Sequence, residues 1–223
     1  ARARQAAQEA IAPARPPARP DREVEAWRIL AAIAAADGSE TDIADALEAA
    51  IVRLRRVGER AATGQLLAIL GRLRRDAGDL RAAEQAWREA LALAATGREP
   101  FTRETRLGLA VIAALDADER RIRALAGGRG EAATDAEDRA WRLLDLLARV
   151  LQGGTLDDDP TPLLVAAVAD GTDAQVLVEL LIEALSVHHP DAAMAARHAL
   201  DTRLSGDPRA RERLARIRGR IRS

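Results

Sequence analysis

Three histidines and one acidic run carry the side chains best suited to metal binding or acid–base chemistry. The histidines are His188, His189 and His198, and no two of them have the i, i+4 spacing that places two imidazoles on one helical face. The acidic run, Asp157–Asp159, lacks the alternating ligands, the glycine and the distal glutamate of a calcium loop. We therefore predict no metal site, and we interpret the segment 188–190 as a turn.

The residue types that are missing exclude several kinds of catalytic site. The chain has no Cys, which excludes a cysteine nucleophile, a thiolate metal site and a disulfide framework. It also has no Lys, which excludes a Walker A phosphate loop, and it contains no G-x-S-x-G motif. We expect no catalytic residues and no cofactor, and thus a protein that is not an enzyme.

Arginine supplies all 34 basic residues of the chain. Arginine and alanine have GC-rich codons. We therefore attribute the excess of arginine to a bacterium with a GC-rich genome, in preference to phosphate recognition. Arginines on the polar faces of predicted helices are nevertheless the candidate partner-binding residues: Arg28, Arg72, Arg75, Arg139, Arg142 and Arg149. Their guanidinium groups would pair bidentately with the carboxylates of an acidic peptide. The alternative, that these faces are only solvated, stays open.

The net charge and the hydropathy limit which partners and which cell compartments we expect for this chain. The 223 residues have a formal net charge of −1, which gives no strong electrostatic drive towards nucleic acid or anionic membranes. No stretch approaches the roughly 20 apolar residues of a membrane span, and the first residues lack the apolar core of a signal peptide. We expect a cytoplasmic protein, or a periplasmic one if the N-terminal arm follows a removed or missing anchor.

Composition divides the chain into three parts. Residues 1–22 form an arm rich in Pro, Ala and Arg, which is either an extended tether or an unstructured chain end. Residues 23–206 form a helical domain, in which Gly and Pro separate short segments of good helix formers. Residues 207–223 predict a basic amphipathic helix that caps this domain, and contact with nucleic acid or a membrane is the alternative.

An internal repeat indicates how the helices are arranged. Its clearest copy, at residues 65–93, places apolar, small and aromatic residues at fixed offsets along two helices: Leu67, Leu70, Gly71, Gly78, Ala83, Trp87 and Ala90. Gly78 would permit a tight turn, and Trp87 would fill the gap to the next hairpin. A second copy lies at 24–51 and has Trp27 at the position that Leu67 occupies in the first copy. The two copies are therefore offset by 67 − 27 = 40 residues. Degenerate copies begin near Trp141 and Leu177, and a non-repetitive helical bundle with chance spacing is the alternative.

This pattern resembles the tetratricopeptide repeat family. The resemblance implies an all-α, right-handed superhelical stack of about five antiparallel helical hairpins with a C-terminal capping helix. It also implies a protein-interaction module, such as a scaffold, an adaptor or the sensor part of a larger bacterial assembly. Such a module would bind another protein or an acidic peptide segment through its concave face.

Two qualifications belong to this resemblance. A regulatory helical domain that binds a small acidic ligand or nucleic acid through the Arg-rich faces is the alternative function. Some members of the family clamp a peptide carboxylate with Lys and Asn, and this chain has neither residue type. The carboxylate clamp is therefore not carried over.

Overall fold

The computed structural model describes residues 20–37, 40–94, 99–128, 134–170 and 172–206, together with residue 215. Within these residues the chain consists of helices joined by turns, with no strand, and the all-α expectation is confirmed. Most of the predicted arm and nearly all of the predicted capping helix lie outside the described residues.

Ten helices follow one another along the described part of the chain. In chain order they are α1 Pro20–Asp37, α2 Glu40–Arg56, α3 Arg60–Asp76, α4 Leu80–Leu93, α5 Pro100–Leu115, α6 Glu119–Gly127, α7 Asp135–Leu151, α8 Thr161–Ala167, α9 Thr172–His188 and α10 Pro190–Arg203. The start of α1 lies inside the segment that composition assigns to the arm.

The same hydrogen-bonded turn ends α2, α3, α5 and α7. Each turn contains a residue with positive φ, which is Gly58, Gly78, Ala117 or Gly153. The next N–H donates to the carbonyl five residues earlier, as from Asp79 to Arg74 at 2.8 Å after α3. Gly78, with φ of 91°, adopts this conformation without a Cβ clash, as the sequence predicts.

Side-chain caps begin three of the helices. The side chains of Asp79 and Asp118 accept hydrogen bonds from the first turns of α4 and α6, at 3.0 Å each. Thr134 accepts from the Glu137 N–H at 3.1 Å. These caps fix where α4, α6 and α7 start, because they satisfy N–H groups that have no partner within the helix.

The chain forms two compact units, Ala1–Leu109 and Ala110–Ser223, where composition alone treats 23–206 as one domain. In the first unit α3 is the central helix, and it packs against α1, α2 and α4. Because it has neighbours on several sides, α3 buries most of its length, including Leu66, Ile69 and Leu73.

Trp87 of α4 connects three helices of the first unit. Its ring lies so close to Gly71 of α3 and Gly108 of α5 that a Cβ on either glycine would come within 2.5 and 2.6 Å of ring carbons. The ring nitrogen donates to the Ala68 carbonyl at 3.1 Å, and the Arg75 guanidinium lies 5.7 Å from the ring centroid. Trp87 is 1 % exposed, and its ring fills the space that α4 shares with α3 and α5.

In the second unit the central helix is α7, which packs against α6, α8 and α9, while α10 packs against α8 and α9. The buried residues of α7 include Trp141, Leu144 and Leu147. His188 ends α9 and His189 precedes α10, so the turn interpretation is confirmed. The Nε2 atom of His189 lies 3.0 Å from the carbonyl oxygen of Gly154 and ties the loop before α8 to this turn.

Candidate functional site

A cleft of about 260 Å³ opens to solvent in the first unit, between α2 and α4 and above α3. We call it the α2/α4 cleft, and its lining residues are Glu48, Ile51, Val52 and Arg55 of α2, Leu67, Leu70 and Arg74 of α3, and Ala82, Gln85, Ala86 and Glu89 of α4. Pockets for small molecules typically measure about 300–1,000 Å³. The α2/α4 cleft is smaller, and its size suits the side chains of a protein partner better than a cofactor.

The two helices that flank the cleft present matching faces. The lining positions are 48, 51, 52 and 55 on α2, and 82, 85, 86 and 89 on α4. Both sets have the spacing i, i+3, i+4, i+7, which is one stripe along a helix. Seven residues of helix span about 10 Å, so the stripes flank a channel about two helical turns long.

The floor of the α2/α4 cleft is apolar. Ile51, Leu67, Leu70 and Ala86 are buried there. Val52 stands at the mouth and is 45 % exposed. A single exposed valine is ordinary on a protein surface. Val52, however, adjoins the apolar floor of the cleft, where a side chain of a partner could bury it.

Ion pairs stand at both ends of the cleft. At one end Arg55 of α2 pairs with Glu89 of α4. At the other end Arg74 of α3 donates to Glu48 at 2.7 Å and to Asp45 at 2.9 Å. The hydrogen bond to Glu48 is the main cause that raises the pKa of Arg74 above its ordinary value, and Asp45 adds to it. Two carboxylates therefore share one guanidinium group at this end.

The predicted binding arginines of the first unit do not line the cleft. Arg72 of α3 lies 3.5 Å from a carboxylate oxygen of Glu104, on α5. Arg75 pairs with its neighbour Asp76 at 2.9 Å. Arg28 is exposed on α1.

The predicted binding arginines of the second unit all lie on α7, and each has a carboxylate partner in that unit. The pairs are Arg139 with Asp170 at 2.6 Å, Arg142 with Asp138 at 2.7 Å and Arg149 with Asp157 at 2.8 Å. Arg139 uses two nitrogens, the second 2.7 Å from Asp170, and this hydrogen bonding raises the pKa of Arg139. An acidic ligand would have to compete with these pairs, because each guanidinium already has a carboxylate beside it.

Sequence reasoning missed the residues of the α2/α4 cleft. The available signal was the i, i+3, i+4, i+7 stripe on α2, with Val52 between Glu48 and Arg55. This stripe alone does not show what faces it, since Arg55 and its partner Glu89 are 34 residues apart in the chain. Only the packing of α2 and α4 on α3 brings the two stripes together.

Within the described ranges, no three His, Asp or Glu side chains are grouped so as to hold a metal ion. In the same part of the chain, no helix has both the length and the apolar character needed to cross a membrane. Comparisons with protein-family models, with curated proteins and with solved structures gave no match. Any functional assignment therefore rests on the cleft and on the arrangement of the helices.

Proposed function

We propose that this chain is a protein-binding module of the tetratricopeptide type, a scaffold, adaptor or sensor part of a larger bacterial assembly, and not an enzyme. In this proposal the helices pair into antiparallel hairpins, which stack with a right-handed superhelical twist. The partner binds at the α2/α4 cleft.

The order of helix contacts inside each unit supports the hairpin stack. In a stack of hairpins, the first helix of one hairpin packs against the first helix of the next. Helices α1 and α3 are in contact in the first unit, and α7 and α9 are in contact in the second.

The observation that carries the binding function is the apolar floor of the α2/α4 cleft, with Val52 exposed above it and charged residues at both ends. Protein interfaces commonly combine an apolar centre with a charged or polar rim. The cleft has this composition on a small scale.

A concave face lined by the six predicted arginines is the competing location for the partner. Five of these arginines already pair with carboxylates in the described part of the chain: Arg72, Arg75, Arg139, Arg142 and Arg149. The regulatory alternative, which binds a small acidic ligand or nucleic acid through the same arginines, meets the same competition. The α2/α4 cleft therefore has the stronger support.

A peptide-display selection tests the proposed site. The purified chain is used to select binders from a random-peptide library, and the selected peptides are then measured against Val52→Arg by fluorescence anisotropy. We expect Val52→Arg to weaken binding at least tenfold, about 1.4 kcal/mol. The larger side chain occupies the opening of the cleft, and a bound peptide would have to bury its charge.

Val57→Arg is the matched control. Val57 is 66 % exposed in the turn after α2 and does not line the cleft. Equal binding to wild type, Val52→Arg and Val57→Arg would move the site away from the cleft. A selection that enriches no peptide at all would contradict the binding function.

A further inference from the structure

We infer that the occupant of the α2/α4 cleft is an amphipathic α-helix of a partner protein, with small apolar side chains towards the floor and an arginine or lysine beside Asp45 and Glu48. This inference rests on the proposed function and specifies the shape and charge of the partner.

The geometry of the walls indicates a helix. Both walls are helical stripes with anchors at i, i+3, i+4 and i+7, and they flank a channel about two turns long. A helix that lies between two such stripes can pack its side chains into the spaces between theirs, as helices do within bundles. Helix-in-groove recognition uses the same anchor spacing on the ligand.

The volume of the cleft limits the size of the apolar side chains. With about 260 Å³ of space, the cleft admits one or two aliphatic side chains at a time. Ile51, Leu67 and Leu70 form this floor and have no polar atoms in their side chains. Alanine, valine or leucine in the partner would gain burial there without leaving a polar group unsatisfied.

The charges at one end indicate a basic residue in the partner. Asp45 and Glu48 share Arg74 and are still 67 % and 52 % exposed, whereas Arg74 is only 18 % exposed. The solvent-facing charge at this end is therefore carboxylate. At the other end Arg55 and Glu89 balance each other and are exposed to similar degrees. A guanidinium or ammonium group of the partner would complete the pairing of Asp45 and Glu48.

The test uses displayed helical peptides of about 18 residues, long enough to form a helix on a display scaffold. Each peptide has a fixed stripe of Ala and Leu at i, i+3, i+4 and i+7, and flanking positions randomised among Arg, Glu and Gln. The full chain is the target, and sequencing of the selected pool measures the preference. We expect Arg to be enriched over Glu by about tenfold at one end of the stripe.

Two doubly substituted chains identify the origin of this preference. In Asp45→Asn/Glu48→Gln we expect the arginine preference to be lost or reversed towards Glu, because the Arg74 guanidinium keeps its charge, with stripe-dependent binding retained. The matched control is Asp42→Asn/Glu49→Gln, which removes the same charge from exposed positions of α2 outside the cleft lining. This control should keep the preference, and circular dichroism checks that both variants remain folded.

Several outcomes would overturn the inference, and they differ from failure of the proposed function. Stripe peptides that need Val52 but show no preference for Arg, or that prefer Glu, would overturn the inferred charge and leave the cleft as a binding site. Selected peptides without helical apolar spacing would overturn the inferred shape. A dimer in sedimentation experiments that Val52→Arg dissolves would make a second copy the occupant. If no stripe peptide is enriched while random peptides bind through Val52, only this inference fails.

Discussion

At the residue scale, single backbone conformations set the turns between helices. Ala117 has φ of 51°, whereas glycine occupies the equivalent position after α2, α3 and α7. The left-handed conformation costs a residue with a Cβ about 1–2 kcal/mol, and a substitution to glycine removes this cost. Glycine also has more conformational freedom in the unfolded chain, which offsets part of the gain in stability. We expect Ala117→Gly to raise the free energy of unfolding by about 0.5–1 kcal/mol in urea denaturation.

The opposite substitution in an equivalent turn is the control for Ala117→Gly. Gly78→Ala introduces the same strain at φ of 91°, with no neighbouring atom within 4 Å of the new Cβ. It should lower the free energy of unfolding by about 1 kcal/mol. If Ala117→Gly were destabilising instead, the methyl group at this exposed position would have a packing role that outweighs the backbone strain.

Close packing around Trp87 gives a second prediction at this scale. A Cβ on Gly71 would lie 2.5 Å from a ring carbon of Trp87, far inside van der Waals contact, and the ring is held by its bond to Ala68. We expect Gly71→Ala to lower the free energy of unfolding by about 1–3 kcal/mol through overpacking. Gly127→Ala in α6 is the control, because its new Cβ has no neighbour within 4 Å. A Gly71→Ala chain as stable as Gly127→Ala would mean that the ring can move aside.

At the element scale, the helices and their ends could be predicted from the sequence, but their long-range ion pairs could not. Gly78 and Thr134 act locally, through turns and caps whose partners lie within five residues, so sequence spacing identifies them. The bond from Arg74 to Glu48 spans 26 residues and the bond from Arg139 to Asp170 spans 31. Sequence spacing places an arginine on a polar helix face, but which carboxylate faces it depends on tertiary packing.

The pair of Arg139 and Asp170 gives a prediction for how α7 and the segment after α8 are held together. Asp170 is 11 % exposed and accepts two hydrogen bonds from Arg139, at 2.6 and 2.7 Å. We expect Asp170→Asn to lower Tm measurably, since a partly buried guanidinium loses its charged partner. Asp157→Asn, which breaks the exposed pair with Arg149, should leave Tm nearly unchanged. Equal melting of the two variants would show that burial of Asp170 adds nothing to this pair.

At the scale of the whole molecule, the high arginine content does not by itself indicate a binding surface. The 34 arginines are balanced by 35 acidic residues, and the net charge is −1. Within the described part of each unit, some of these charges form long-range ion pairs: Arg72 of α3 pairs with Glu104 of α5, and Arg139 of α7 pairs with Asp170 after α8. The location of a binding surface depends on which charges remain unbalanced after folding, as at Asp45 and Glu48 beside Arg74.

This charge balance predicts how the chain responds to an acidic ligand. A fluorescent poly-glutamate peptide has to displace carboxylates from Arg72, Arg75, Arg139 and Arg142, and exposed ion pairs return little free energy in exchange. We expect no difference in its anisotropy between wild type and the variant with these four residues changed to Gln, at about 0.15 M salt. Gln is used because Glu would face the existing carboxylates and destabilise the fold. Salt-sensitive binding to wild type that a folded Gln variant loses would instead place the binding site on the arginine faces.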